Sequence, residues 1–118
     1  MEVVEERRRL RERVVEEARR WALSLPFKST AILVGSYARG DFNLWSDVDV
    51  LLVAEFEGRP PQRLRGLEVP PGYQVIPVTP SEFRRMVERG DPLAVEAFKR
   101  GIFLRDDLGL SEGGFKGS

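Results

Sequence analysis

Two aspartates separated by one residue, Asp47 and Asp49, lead into an apolar run that continues to Val53. In a β-strand, residues two apart point to the same side, so both carboxylates project from one face, roughly 6–7 Å apart at the backbone. Like charges this close are costly unless a cation neutralises them, and an aspartate within a buried strand is costly without a purpose. The pair therefore suits a divalent cation. Taken alone, however, the pair is better interpreted as a solvated strand end, with Asp47 in a turn after Ser46, because such pairs are common.

A glycine-serine pair, Gly35 and Ser36, ends an earlier apolar run and opens a predicted short helix that carries Arg39 and ends at Gly40. Glycine lets the backbone come close to a ligand. Exposed N–H groups at a helix start attract phosphate, and a serine hydroxyl adds a hydrogen bond. The pattern thus predicts a phosphate-binding turn, although a plain turn from strand to helix fits it as well.

The composition limits the chemistry further. The 118 residues include no histidine and no cysteine, which excludes disulfides, thiolate chemistry, a cysteine-ligated zinc site and histidine as a general base. Metal ligands must then be carboxylates, which suit Mg²⁺ or Mn²⁺. Lysine plus arginine, 19, equals aspartate plus glutamate, 19, so we expect neither nucleic acid nor a membrane as partner. With no apolar segment of signal-peptide or bilayer-spanning length, the expected location is the cytoplasm.

The surrounding patterns predict an α/β (α+β) fold. Apolar residues at helical spacing predict a helix over 2–25, ended by Pro26. Capping signals predict two later helices, one from Thr79-Pro80 with Glu82 to about residue 89, and one from Asp91-Pro92 to about residue 100. Short apolar runs predict strands at 31–34, 48–53, 73–78 and 102–104. We expect a small mixed sheet of about four strands with helices mainly on one face, as a single domain over 1–110 with a flexible tail over 111–118.

The remaining segment, 58–72, is rich in proline, arginine and glycine and is predicted to be a connecting loop. Arg63 and Arg65 in it are expected to be solvated rather than phosphate-binding. Trp21 is expected in the core. Trp45 could stack on a base, but a role covering the core is the preferred interpretation.

Taken together, the two polar groups resemble the signature of the DNA polymerase beta-type nucleotidyltransferase superfamily, especially its small prokaryotic stand-alone members, the minimal nucleotidyltransferases. The phosphate-binding turn and the metal site are eleven residues apart, from Ser36 to Asp47. The resemblance covers about residues 28–107. Its matching residues are Gly35, Ser36, Ala38, Arg39, Gly40, Ser46, Asp47 and Asp49.

The resemblance implies a transfer reaction. A nucleoside triphosphate, with ATP expected, would give its nucleotidyl group to a hydroxyl on a protein or small molecule and release pyrophosphate. Asp47 and Asp49 would be the catalytic residues and would bind Mg²⁺ or Mn²⁺. The nucleotide would be held by Gly35, Ser36, Arg39 and Ser46.

The sequence departs from the family at a third carboxylate, which active members usually carry on a later strand. The preferred alignment places Ile76 there, and slips of one or two residues would place Val75 or Gln74, none of them acidic. Substitutes considered are Glu55, Glu57 and Glu68. The alternative function is therefore a nucleotide- or partner-binding module, antitoxin-like and without catalysis.

A chain of this length has no room for a separate acceptor-binding domain, so the acceptor site is expected on a partner chain or in a homodimer. The family resemblance suggests a separate helical protein of the HEPN type as that partner.

Overall fold

The computed structural model describes residues 2–112. Its elements follow the predicted order, with one additional short helix in the 58–72 segment and a final 3₁₀ turn. They are α1 Glu2–Leu23, β1 Thr30–Val34, α2 Gly35–Arg39, β2 Val48–Val53, α3 Pro60–Arg63, β3 Tyr73–Val78, α4 Pro80–Glu88, α5 Pro92–Arg100, β4 Ile102–Asp106 and the 3₁₀ helix Leu110–Glu112.

The four strands form one mixed sheet, as the sequence predicts, and the structure gives their order as β3-β2-β1-β4. Strand β1 runs antiparallel to both β2 and β4, while β2 and β3 are parallel. In this register Asp49 lies beside Val34 on one neighbouring strand and beside Gln74 on the other. Asp49 is thus flanked by the end of β1 and the start of β3.

Helices cover both faces of the sheet, whereas the sequence analysis expected them mainly on one. Ala18 and Ala22 of α1 pack on one face with Leu33 and Val50. On the opposite face the apolar side chains of α4 and α5, such as Phe83, belong to the second core cluster. The reason is that every residue of β1 is buried, and a central strand buried on both faces needs an apolar layer on each side.

The helix ends follow the capping signals, with one small shift. The Thr79 hydroxyl accepts a hydrogen bond from the Glu82 N–H, and the Glu82 carboxylate accepts one from the Thr79 N–H, completing the predicted capping box of α4. The first helix ends at Leu23, two residues before the predicted boundary. Ser24 follows it, and its hydroxyl donates to the Trp21 carbonyl. The shift is consistent with the restriction that a proline places on the residue before it.

The segment over 58–72 is more ordered than a plain loop. It contains α3, and the Arg63 side chain is only 6% exposed because it forms two hydrogen bonds to the Glu82 carboxylate. The expectation that Arg63 is solvated was wrong, while Arg65 is exposed as expected.

The predicted tail begins inside an ordered turn. The N–H groups of Leu110 and Ser111 donate to the Asp106 carboxylate, which holds the 3₁₀ helix against β4. Residues 113–118, the rest of that tail, lie outside the described part of the chain. Within 2–112, none of the helices has the length and apolar character to cross a bilayer.

Candidate active site

The backbone turn at Gly35 brings the two predicted groups into contact. Gly35 follows β1 directly and has a φ of 77°, in the left-handed region that favours glycine. A Cβ at this position would overlap the carboxylate of Asp49. Only a residue without a side chain therefore lets α2 begin against the aspartate pair, and the predicted phosphate-binding turn and metal site form one site.

The aspartate pair makes this site electronegative. Asp47 is exposed just before β2, whereas Asp49 is partly buried within the strand. Burial raises the pKa of Asp49, the negative charges of Asp47 and Glu96 raise it further, and the positive charge of Arg39 lowers it. The ionised form of Asp49 is thus disfavoured by burial and repulsion, which a bound cation would relieve.

The predicted nucleotide-binding residues surround the pair in different ways. Ser36 lies partly exposed in the first turn of α2, and no hydrogen bond within 2–112 engages its hydroxyl. Arg39 lies in the last turn of the same helix and donates through Nε to Asp41, at 3.2 Å. The Ser46 hydroxyl accepts a hydrogen bond from the Asn43 N–H, at 2.9 Å, so Ser46 stabilises the turn that precedes Asp47.

Glu96 of α5 is part of the site, and the sequence analysis did not find it. Its Oε2 accepts a hydrogen bond from the Gly35 N–H at 2.7 Å, and its Oε1 accepts one from Arg39 Nη1 at 3.1 Å. The residue lies outside both motifs. The only available signal was its place beside Ala97, which α5 buries against the sheet.

The register shows where a third carboxylate would face the pair. Gln74 lies directly beside Asp49 on the neighbouring strand, hence on the same face, while Ile76 lies beside Leu51. Ile76 packs against the apolar cluster on that face. The register therefore favours the two-residue slip, which places an exposed glutamine beside Asp49, over the preferred alignment on Ile76.

None of the considered substitutes supplies the missing acid. Glu55 and Glu57 follow the far end of β2, where they line a separate cavity of about 570 Å³ together with Phe27 and Phe56. Glu68 lies on the side of the sheet covered by α1, where its carbonyl accepts a hydrogen bond from Trp21 Nε1. No glutamate of these three contributes to the pKa shift of Asp49.

The two tryptophans differ from the sequence expectations. Trp45 is 89% exposed, next to Leu44, which is 82% exposed, so it does not cover the core. Trp21 is only partly buried: its ring makes an edge contact with Tyr73, with centroids 5.7 Å apart. An exposed aromatic side chain thus stands two residues before Asp47.

The donor set fits a metal that arrives with a nucleotide better than a metal held by protein alone. Across residues 2–112 no three acidic, histidine or cysteine side chains are arranged to hold a metal ion. Mg²⁺ commonly uses one or two carboxylates together with waters and substrate phosphates. Asp47 and Asp49 provide such a pair beside the Gly35 turn.

A comparison with protein-family models gives a match over most of the chain. The family model of the nucleotidyltransferase domain matches residues 7–101, a span that includes every motif residue named above. No curated protein and no solved structure matches the chain. Since the family model covers most of the sequence, the chain belongs to the nucleotidyltransferase domain family.

Proposed function

We propose that the protein transfers a nucleotidyl group from a magnesium-bound nucleoside triphosphate, ATP in the first instance, to a hydroxyl on a protein or small molecule. The observation that carries the proposal is the contact between Gly35 and Asp49, which sets the predicted phosphate-binding turn against one carboxylate of the aspartate pair. In the reaction, the acceptor oxygen forms a bond to the α-phosphorus while the bond to the β,γ-diphosphate breaks. Pyrophosphate leaves, and the hydroxyl proton passes to solvent.

Each residue of the site would have a role that follows from the chemistry of its side chain. Asp47 and Asp49 would hold Mg²⁺ or Mn²⁺, which when bound neutralises charge on the phosphates and lowers the pKa of the acceptor hydroxyl. The Ser36 hydroxyl would donate to a phosphate oxygen. Arg39 Nη2, which no hydrogen bond within 2–112 occupies, would do the same.

The acceptor hydroxyl would belong to another molecule. We place the site that binds the acceptor on a partner chain, with a helical HEPN-type protein as the first candidate and a second copy of this chain as the next. Exposed Leu44 and Trp45 adjoin Asp47 and would be within the area that such a partner covers.

The test is calorimetric titration of ATP with and without Mg²⁺, run on the wild-type protein and on Asp47→Asn/Asp49→Asn, followed by an assay of pyrophosphate release. We expect magnesium-dependent binding that the double substitution weakens at least tenfold. Binding that is indifferent to the substitution would overturn the metal site, and release of pyrophosphate with a candidate acceptor would demonstrate transfer.

Gln74 favours a second candidate function, a nucleotide-binding module without transfer activity. It occupies the position beside Asp49 where an acid would complete the carboxylate set. Metal-dependent ATP binding with no pyrophosphate release would select this function. Gln74→Glu should then produce measurable release, whereas Gln74→Ala, the control for loss of the amide, should not.

A further inference from the structure

Glu96 joins the fifth helix to both halves of the nucleotide site. One carboxylate oxygen bonds the Gly35 N–H at 2.7 Å and the other bonds Arg39 Nη1 at 3.1 Å. Gly35 begins α2 and Arg39 ends it, so a single side chain fixes both ends of the short helix that carries Ser36.

The Gly35 N–H has no other partner among the described residues. The pairing of β1 with β4 ends at Leu33. The next residue, Val34, is the N-cap of α2, and its side chain makes no capping hydrogen bond. A partly buried N–H at a helix start needs an acceptor, and Glu96 supplies it from a different helix. The start of α2 therefore depends on α5.

Arg39 is held from two sides. Asp41 accepts from its Nε at 3.2 Å while Glu96 accepts from its Nη1 at 3.1 Å, and the side chain retains 34% exposure. A guanidinium has a rigid fork of donors, so fixing two nitrogens fixes the third. Nη2 is then held in a defined orientation without a protein partner among residues 2–112.

Glu96 is unsuited to replace the missing third acid. Its two oxygens are already engaged by Gly35 and Arg39, and Asp47, Asp49 and Glu96 do not form a three-ligand metal cluster in the described chain. Of its two contacts, Arg39 is a group expected to bind phosphate and the Gly35 N–H is a structural donor that Glu96 itself occupies, so neither contact is with the reacting atoms.

We propose that Glu96 is a positioning residue for the triphosphate. Its hydrogen bonds fix the backbone of the Gly35 turn and keep Arg39 oriented toward phosphate. The role rests on the proposed nucleotide binding, and it predicts an effect on affinity rather than on the step that follows. Glu96→Ala should raise the Kd for ATP with Mg²⁺ at least tenfold. Glu96→Gln, which keeps an acceptor for the Gly35 N–H, should raise this Kd by a smaller factor.

A double-mutant cycle tests whether Glu96 acts through Arg39. Arg39→Met should weaken ATP binding, and Glu96→Ala added to it should weaken binding by less than the product of the two single effects. Glu88→Gln, an exposed carboxylate on α4, is the matched control and should leave the Kd unchanged. Strictly multiplicative effects would overturn the coupling to Arg39.

A second readout needs no nucleotide. Hydrogen exchange of the Gly35 amide should accelerate at least tenfold in Glu96→Ala and much less in Glu96→Gln, while the melting temperature of Glu96→Gln stays near that of the wild type. Unchanged exchange together with unchanged ATP affinity would overturn the role of Glu96. If the wild-type protein itself bound no ATP, the proposed function would fail and this role with it, and Gly35 exchange would still report the contact.

Discussion

Gly35 must be a glycine for two reasons, its left-handed φ and the nearby Asp49 carboxylate. Gly40 shares only the first reason and therefore serves as a control. Gly35→Ala forces a side chain into the left-handed region and against the Asp49 carboxylate. Gly40 also has a positive φ, 96°, but no atom lies within 4 Å of a Cβ at that position, so Gly40→Ala meets only the unfavourable backbone conformation. We expect both changes to cost about 1–2 kcal/mol of unfolding free energy for the backbone.

Only Gly35→Ala should also abolish ATP binding, because the aspartate must move. Denaturant unfolding and calorimetry measure the two effects. Equal ATP affinity in the two alanine variants would contradict the contact between the turn and Asp49.

The ionised Asp49 carboxylate should lower the unfolding free energy of the metal-free protein. Burial, Asp47 and Glu96 raise its pKa above the ordinary value, so the folded state disfavours the carboxylate. For a raised carboxyl pKa the penalty is present at neutral pH and is relieved as pH falls through the folded-state value. Asp49→Asn should therefore stabilise the metal-free protein at pH 7, by up to about 1 kcal/mol, with a smaller difference near pH 4. Thermal unfolding in EDTA at both pH values measures it, and a destabilised variant at pH 7 would contradict the assigned repulsion.

At the level of single residues, the sequence predicted those members of the candidate site that stand close together in the chain. Asp47, Asp49 and Gly35 stand in short motifs whose spacing fixes their geometry. Glu96 could not be found in this way because its contacts with Gly35 span 61 residues and depend on how α5 packs. The position of the third acid likewise depends on the register between parallel strands, which placed Gln74 rather than Ile76 beside Asp49.

Among the elements, α4 is held at its start by a charge pair that the sequence analysis missed. Glu82 caps the helix and also binds Arg63, and the hydrogen bonds from Arg63 and from the Thr79 N–H together lower the pKa of Glu82 to about 2. For a lowered carboxyl pKa the stabilisation is present above the unfolded-state value and is lost as pH falls toward the folded-state value. The contribution should therefore be complete at pH 7 and decline between about 4.5 and about 2.

Glu82→Gln should lower the unfolding free energy by about 1–3 kcal/mol at pH 7, because the nearly buried Arg63 loses its counter-charge. Glu88→Gln on the same helix is exposed and serves as the control. Urea unfolding at pH 7 and at pH 3 measures the difference in unfolding free energy between each variant and the wild type at both pH values. A Glu82→Gln effect that is equally large at pH 3 would show that the pair is not the source.

The boundaries of α4, α5, β2 and β3 were predictable because capping residues and apolar runs are local signals, whereas β4 runs to Asp106, two residues beyond its predicted end. The distribution of helices over both faces was not, since it depends on which side of the sheet each connection crosses. α3 was missed because its sequence, Pro60–Arg63, is too short to show a helical period.

Across the whole molecule, the longest helix supports the site from outside it. Arg11 of α1 donates through Nε to the Tyr37 carbonyl at 2.6 Å and through Nη2 to the Ala38 carbonyl at 2.7 Å. Arg7 donates to the Gly40 carbonyl at 3.1 Å. These carbonyls belong to the end of α2, where helical partners run out. Glu96 thus fixes the start of α2 from one side, and α1 fixes its end from another.

Arg11→Ala should therefore do more than remove a surface charge. We expect a loss of about 1–3 kcal/mol in unfolding free energy, because two carbonyls lose a charged donor, together with a severalfold rise in the Kd for ATP. Arg13→Ala is the control: it lies exposed on the same helix and makes the same change in helix propensity. If the two variants match in stability and in ATP affinity, α1 acts only as a cover for the sheet. If only Arg11→Ala weakens binding, the first helix is part of what holds the nucleotide site in shape.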